Sequence, residues 1–444
     1  MRKIITIVFL IQLFWFSAGA QSLFENTVSQ QQGPQWNGYV RGMGYGGGVD
    51  HDYASLFGEF SLQSNYSTGN VAFVADARFL SGYIFGEQKT TLQLKEAYAT
   101  YQPGKFSVSL GQQIVNWGKT DGFNPTNNIT PNNYFFLTSN ADDQKLSNFM
   151  LRTKLQLTSG INWEVIAIPI YRPSVYRYDL FDMGTNVSFA DAVLPAKKFD
   201  QGSLATRLSF ELKGVGFSLS WFNGYDPFYG FMVNPVVWTA EGPSVINSAA
   251  YYRKNTVGFD LELPLRWLIF RAEAAVNFTK DHETAMSIPN PGASAVAALE
   301  YMHGNFMVLL QYVGGYTFDY KALTQPELPQ SNNPLELMAY GEKLIFYEAA
   351  QFNRHIFHQQ EEWDHAFSLT ARQQLAYETL ELTATGYYNL TSEEWMVRPA
   401  IVWNAAESLS LSLGAQWMKG NDGTVFSHAS KLMNGVFLEL KTSF

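Results

Sequence analysis

The sequence predicts an all-β protein: a transmembrane antiparallel β-barrel of about 18 strands (16 as the alternative), following a cleaved signal peptide. Three observations predict it. An apolar pattern of period two runs almost the length of the chain, short and long connections alternate, and an export leader stands at the N-terminus.

The leader comes first in the chain. Arg2 and Lys3 precede an apolar stretch over residues 4–16 and the small-residue site Ala18-Gly19-Ala20. Residues 1–20 are therefore expected to be removed, with 21–34 a short periplasmic segment and 35–444 the barrel. No later run approaches the ~20 apolar residues of a helical span. The chain has no cysteine, which excludes disulfides, thiolate metal sites and a cysteine nucleophile. A net charge of −9 and a pI near 5.3 exclude nucleic acid as a partner, because phosphate binding needs a basic face.

Strand signals follow. Val71, Phe73, Ala75, Ala77 and Phe79 alternate with Asp76 and Arg78, and Leu204 to Leu212 alternates with Arg207, Ser209 and Glu211. The same pattern recurs where Leu268 to Phe278 interleaves with Arg271 and Glu273, and again from Leu409 to Trp417. Most such segments span about ten residues, near the ~9–11 that a tilted strand needs to cross a bilayer and above the ~5–6 of globular strands.

Short turns are expected at residues 67–70, 102–104, 158–160, 213–214, 263–264, 303–305, 377–378 and 404–406. Longer connections rich in Asn, Pro and Gly lie at 117–145, 171–201, 224–247, 280–292 and 317–361. Nine long loops and eight short turns put both termini on the short-turn rim, which demands an even strand number. Trp36, Tyr98, Tyr101, Trp163, Trp221, Tyr251, Trp267, Tyr312, Trp395 and Trp403 sit near strand ends, where barrels carry aromatic girdles.

The last segment, VFLELKTSF, presents Val436, Leu438, Leu440, Thr442 and Phe444 on one face. It resembles the C-terminal strand of Gram-negative outer-membrane barrels, whose terminal Phe presents the strand to the assembly machinery. Leader, alternation, loop asymmetry and terminal Phe together resemble porin-type outer-membrane barrels over the whole mature chain. Residues 94–131, LKEAYATYQPGKFSVSLGQQIVNWGKTDGFNPTNNITP, look like the motif of DUF1302-type and alginate-export-like barrels. The family's Gly-Arg-Gln is here Gly111-Gln112-Gln113, so its arginine is absent.

If the apolar face meets lipid, the other face defines a lumen. The expected pore-lining residues are Glu59, Asp76, Arg78, Arg152, Lys154, Arg207, Glu211, Arg271, Glu273, Glu300, Arg372, Glu381, Arg398, Glu439 and Lys441. Facing lipid, an Arg or Lys at the midplane would cost ~2–4 kcal/mol. The signs nearly balance, so the set reads either as an ion-pair lattice bracing the wall or as a ladder guiding solute. Residues 117–145 form the third long connection, and a constriction loop is expected there, carried by Trp117, Asp121, Phe123, Asn127 and Asn128. Residues 335–352 read as a helix after Pro334 that partly plugs the mouth. His355 and His358 share a helical face at metal-ligand spacing but lack a third ligand.

No enzymatic motif or phosphate loop emerges: nearly all the histidines lie in loops or turns, and Gly42 to Gly48 lacks a following Lys-Ser/Thr. No cofactor is expected. The functional expectation is a cell-outer-membrane channel passing small polar or amphiphilic solutes passively. Its partners would be outer-membrane lipid, the barrel-assembly machinery and a small-molecule solute, and a homo-oligomer is compatible with such a barrel. The alternatives are a loop-occluded structural or adhesive barrel and a lateral-diffusion transporter of hydrophobic molecules, the latter suggested by inward Ile166, Met307 and Leu309.

Overall fold

The computed structural model describes residues 33–47, 54–184 and 186–444. The expected leader and nearly all of the N-terminal segment lie outside the described residues. Eighteen antiparallel strands form one sheet. In chain order they are β1 (Gln35–Gly47), β2 (Ser55–Thr68), β3 (Val71–Ile84), β4 (Glu87–Tyr101), β5 (Phe106–Gln113) and β6 (Asn148–Thr158). Next come β7 (Ile161–Ile168), β8 (Ser203–Leu212), β9 (Val215–Tyr225), β10 (Arg253–Pro264), β11 (Leu268–Thr279) and β12 (Gly292–His303). The last six are β13 (Phe306–Thr317), β14 (Trp363–Leu375), β15 (Leu380–Asn389), β16 (Glu394–Ala406), β17 (Leu409–Lys419) and β18 (Gly435–Ser443). Each strand pairs with its neighbour in sequence, and β18 returns to β1 from Gly47↔Gly435 to Tyr39↔Ser443. Gly38 and Phe444 exchange both backbone hydrogen bonds at 3.0 Å, so the C-terminal residue completes the seam.

The barrel is polar inside and apolar outside. Leu92, Leu56 and Leu94 point outward at 77%, 67% and 54% exposure, while Arg41, Glu273 and Asp260 point inward at 2%, 2% and 1%. In water this would expose apolar area far beyond the few hundred Å² of an ordinary patch. Such a surface is stable against hydrocarbon. Trp36, Tyr101, Trp163, Trp267 and Trp403 are exposed on the tight-turn rim, as expected of a girdle.

All eight tight turns occur. Two are displaced: the turn expected at 263–264 sits at 265–267, and that at 404–406 sits at 407–408. Near the second, the register shifts between Asn404 and Ala406, so the Asn-Ala-Ala signal marks a bulge rather than the turn. The other rim departs from expectation. Two of its nine connections are short, residues 85–86 and 390–393. Phe85 and Gly86 take φ of 47° and 76°, the pattern of a two-residue type I′ hairpin turn, and Phe85 is buried 5.4 Å from the Phe135 ring.

A second bulge matters more. Asp76 pairs with Glu96 but Ala77 with Leu94, leaving Lys95 as the extra residue. Bulges re-aim side chains. Leu92 and Leu94 face outward, and beyond the bulge Ala97, Ala99 and Tyr101 do so. Tyr98 consequently falls on the inner face opposite Val74, which corrects its expected place in the girdle. Tyr251 is corrected too: it lies outside the strands and meets Tyr171 and Tyr229 at 5.4 and 5.2 Å.

The loops build a core over the mouth. Phe57, Phe85, Phe135, Tyr178, Phe181, Phe231, Phe352 and Ile356 belong to one buried cluster. Phe352 and Ile356 come from α1 (Pro334–Phe357), five residues longer at its C-terminus than the sequence suggests. Asn333 caps it through Leu335 N and proline opens it, while His358 in the left-handed region closes it. A second helix, α2 (Val425–Met433), is unforeseen; Thr424 caps it by accepting from Ser427 N. Buried Asn353 fastens α1: its Nδ2 donates to Phe231 O at 2.7 Å and its Oδ1 accepts from Phe231 N at 2.7 Å. One side chain thus satisfies the free edge at Phe231, in a short strand of residues 230–233 whose other edge pairs with residues 247–250.

Asn353→Ala should release this end of α1, since leaving two buried backbone groups unpaired costs about 1–3 kcal/mol each. The expected outcome is faster protease cleavage within residues 318–362, with unchanged heat-modifiable mobility of the barrel on gels.

Candidate functional site

The third connection on the long-loop rim, residues 114–147, turns into the bore and reaches the wall on opposite sides. Its fixed start is apolar. Trp117 and Ile129, 1% and 0% exposed, pack with Met150, Ile166 and Phe222. The Trp117 indole N–H donates to Glu164 at 3.0 Å, which satisfies its polar edge. Ile166 is therefore inward, as expected, but serves as floor for this loop.

On the first side lies a buried charge cluster. The turn of 3-10 helix Ala141–Gln144, capped by Asn140, carries Asp143 between two guanidiniums. Arg41 of β1 pairs with Asp143, with Glu59 at 3.1 Å and with Glu439 at 3.7 Å. Arg78 of β3 holds Asp143 at 2.9 Å and Asp76 at 2.9 Å. Lys95, turned inward by its bulge, donates to the carbonyls of Asp143 (2.8 Å) and Lys145. Nearby, Ser139 Oγ donates to Glu439 at 2.8 Å and Arg398 donates to Thr138 O.

The far attachment is a carboxylate in a cradle. Glu273 of β11 accepts from Lys119 N and Thr120 N at 2.6 Å each, from Thr120 Oγ1 at 2.7 Å and from Thr126 Oγ1 at 2.9 Å. Gly118 adopts φ of +107°, which calls for glycine, and a Cβ there would displace that carboxylate from its cradle. At the tip Phe123 stacks on Tyr387 of β15 at 5.4 Å. Gln311 of β13 donates to Asp121 O at 2.9 Å, while the Asp121 carboxylate stays exposed 3.9 Å from Arg271.

Around this bar the inner wall carries ion pairs: Arg152 with Glu164, Arg207 with Asp260 at 3.1 Å, and Arg271 with Glu300 and with Glu262 at 3.0 Å. Others of the expected set stand apart. Lys119 reaches half-exposed Glu211 at 3.5 Å. Glu381 bonds Gln374 at 3.2 Å and Thr383 at 3.5 Å, and the Lys441 ammonium lies 4.3 Å from the Tyr39 ring centre. Lys154 and Arg372 have no ion-pair partner among the described residues. Asn127 and Asn128 make turn bonds, Asn127 N to Asn124 O at 3.0 Å and Asn128 Nδ2 to Thr126 O at 3.3 Å. Sequence reasoning missed Arg41, Lys95, Asp143, Thr120, Thr126 and Gln311. Arg41 had a signal, being the lone charge in a Gly- and Tyr-rich strand.

His355 and His358 do not act as a pair. His355 Nδ1 lies 2.8 Å from Gln360 Nε2, whereas His358 caps α1 with its ring 3.8 Å from Asp364. Burial pushes the His355 imidazole below its ordinary pKa. Among the described residues no three His, Cys, Asp or Glu side chains are grouped to hold a metal.

A closed barrel with a polar bore and one long loop folded across it is the architecture of porin-type channels. The chain is similar in fold to several of known structure. OccK5 (OpdH) of Pseudomonas aeruginosa is 13% identical with a TM-score of 0.52, covering 93% of this chain and 97% of that one. Acinetobacter baumannii OccAB3 is 10% identical with a TM-score of 0.53, covering 93% and 99%. OccK2 (OpdF) of P. aeruginosa, solved in complex with glucuronate, is 10% identical with a TM-score of 0.52, covering 93% and 97%. No family model matches the sequence, and no curated protein does.

Burial alone would raise the Asp143 pKa, but Arg41 and Arg78 outweigh it and hold the carboxyl at about 2, below its ordinary 3.8. A depressed folded pKa means the stabilisation is whole above about 4 and lost as pH falls through 2. A spin label at a cysteine introduced for Asp121, unique in this cysteine-free chain, should stay immobile at neutral pH and gain mobility between pH 4 and 2. Asp143→Asn should mobilise it already at pH 7, because two buried guanidiniums lose a shared partner at a cost of about 2–3 kcal/mol.

Proposed function

We propose that the protein is an outer-membrane channel through which small polar or amphiphilic solutes diffuse passively. The observation that carries this reading is the inverted barrel crossed by a tethered inward loop. The exposed apolar band suits a lipid slab, and the charged bore suits water. A barrel of this strand number leaves an aqueous passage unless a loop narrows it, and residues 114–147 narrow it. Vanillate and glucuronate are held by solved proteins of this fold, and solutes of that size class fit the proposal.

The expected lumen residues divide into two roles on this reading. Glu59, Asp76, Arg78, Glu273, Arg398 and Glu439 brace the loop. Arg152, Lys154, Arg207, Glu211, Arg271, Glu300, Arg372, Glu381 and Lys441 face the remaining passage and filter solute by charge and size. Asp121 and Phe123 set the edge of the gap. Export by the N-terminal leader and delivery to the assembly machinery through the strand ending in Phe444 belong to the same proposal, as do the lipid contacts of the outer face and any homo-oligomer.

Planar-bilayer recording of the refolded mature protein tests it. Discrete, stable current steps with weak ion selectivity are expected, because paired charges leave little net field. Replacing residues 118–128 by a short Gly-Ser turn should raise conductance several-fold. A folded barrel that fails to conduct even after that replacement would overturn the channel reading.

The aromatic core over the mouth favours a second reading, an occluded barrel whose loops act outside the cell. Deleting residues 335–352 separates the two. Current that appears only after deletion supports occlusion, and equal current before and after supports an open route past α1.

A further inference from the structure

Above the outer rim lies a cleft that the constriction does not use. It is bounded by residues 282–290, residues 319–323 and the C-terminal half of α1, with a cavity volume of about 370 Å³, within the range of small-molecule sites. Met286, Ile288 and Phe357 supply apolar wall. The floor is pinned by a reciprocal pair: Gln359 Oε1 accepts from Asn290 N at 2.9 Å and Gln359 Nε2 donates to Asn290 O at 2.9 Å. The cleft is thus held open by bonded structure.

Its polar groups are incompletely used. Arg354 lines the cleft with its guanidinium 5.2 Å from the Tyr320 ring centre, and Nη2 donates to Lys321 O. Its other side-chain neighbour is the Tyr320 hydroxyl, and no carboxylate forms an ion pair with Arg354 among the described residues. Burial lowers its pKa, the mark of a cation short of compensating charge. His282 Nδ1, also in the cleft wall, is buried without a partner. The acids nearby do not fill this vacancy: Glu283 turns to Lys321 at 3.9 Å, and Glu361, the carboxylate whose charge reaches Arg354, lies beyond ion-pair distance, as does Asp319. A half-buried guanidinium with free donors is a ready partner for a planar or tetrahedral oxyanion.

We propose that this cleft binds a small oxyanion, a phosphate or carboxylate group, with Arg354 as its main ligand and His282 as a second polar contact. The proposal is independent of whether the bore conducts. Two sources share this chemistry, a free anion from the medium and a lipid headgroup reaching up from the rim, where Tyr316 and Trp363 cluster at 4.5 Å.

Calorimetric titration of the refolded barrel in zwitterionic detergent with inorganic phosphate is the first arm. Native mass spectrometry of the barrel from phosphatidylcholine bilayers with and without phosphatidylglycerol is the second. Binding in the first arm identifies a soluble anion, and retained phosphatidylglycerol in the second alone identifies a headgroup. In either case Arg354→Gln should weaken binding about tenfold or more, the worth of a charge-assisted bond, while Lys213→Gln, in a tight turn of the opposite rim, leaves it unchanged. Ala350→Phe, which fills the cleft and keeps the guanidinium, should weaken it likewise and decides the matter if Arg354→Gln does not fold. No binding in either arm, or binding indifferent to both cleft variants, overturns the proposal.

Discussion

Closure of the sheet is the constraint on which everything else depends. In an apolar slab an unpaired N–H or C=O costs several kcal/mol, so a sheet can exist there only without edges. The β1–β18 seam supplies that condition, down to the reciprocal bonds between Gly38 and Phe444. Gly38 is demanded by the same closeness, since a Cβ there would strike Ser61 O and the Phe444 ring. Once the sheet closes, the period-two pattern has one consistent placement, and the charged face has only the interior left.

An interior lined with charge creates the next requirement. Each buried guanidinium or carboxylate must find a partner or keep contact with water. Near the first strands the wall holds Arg41, Arg78 and Lys95 against Glu59, Asp76 and Glu439, and Asp143 of the loop completes the pairing. Across the bore Glu273 forms no ion pair among the described residues and is satisfied by four donors of the loop instead. Loop and wall are thus solutions to each other's desolvation. This is why the loop enters the bore although its sequence is polar and rich in turn residues.

The architecture was legible in the sequence because it rests on periodicity and parity. Strand number, the eight tight turns and the helix after Pro334 were all readable from local pattern. The site was legible only in part. Glu273 could be placed on the inner face by its parity with Arg271, but its partners lie some 150 residues away, at Thr120 and Thr126. Asp143 sits in a loop with no period at all. Tyr98 was misplaced because one inserted residue inverts every face beyond it. Short connections such as Phe85-Gly86 escaped because a bulky residue at positive φ is uncommon and is secured there by burial against Phe135.

Two layers therefore lie in series along the bore, held by different forces. The constriction is fixed by ion pairs and carboxylate hydrogen bonds, which weaken when carboxylates are protonated. The cap of α1, α2 and the aromatic loops is fixed chiefly by ring packing and by the neutral amides of Asn353 and Gln359, with a few carboxylate contacts such as Glu394 to Phe426 N and Asp226 to Lys254. Acid should thus loosen the inner layer more than the outer one, whose ring packing and amide bonds carry no titrating group. A passage controlled by the first layer would respond to acid from the outset, whereas one blocked by the second would stay silent until the cap is cut away. The physical separation of these two adhesives lets the position of the gate be assigned without a bound solute.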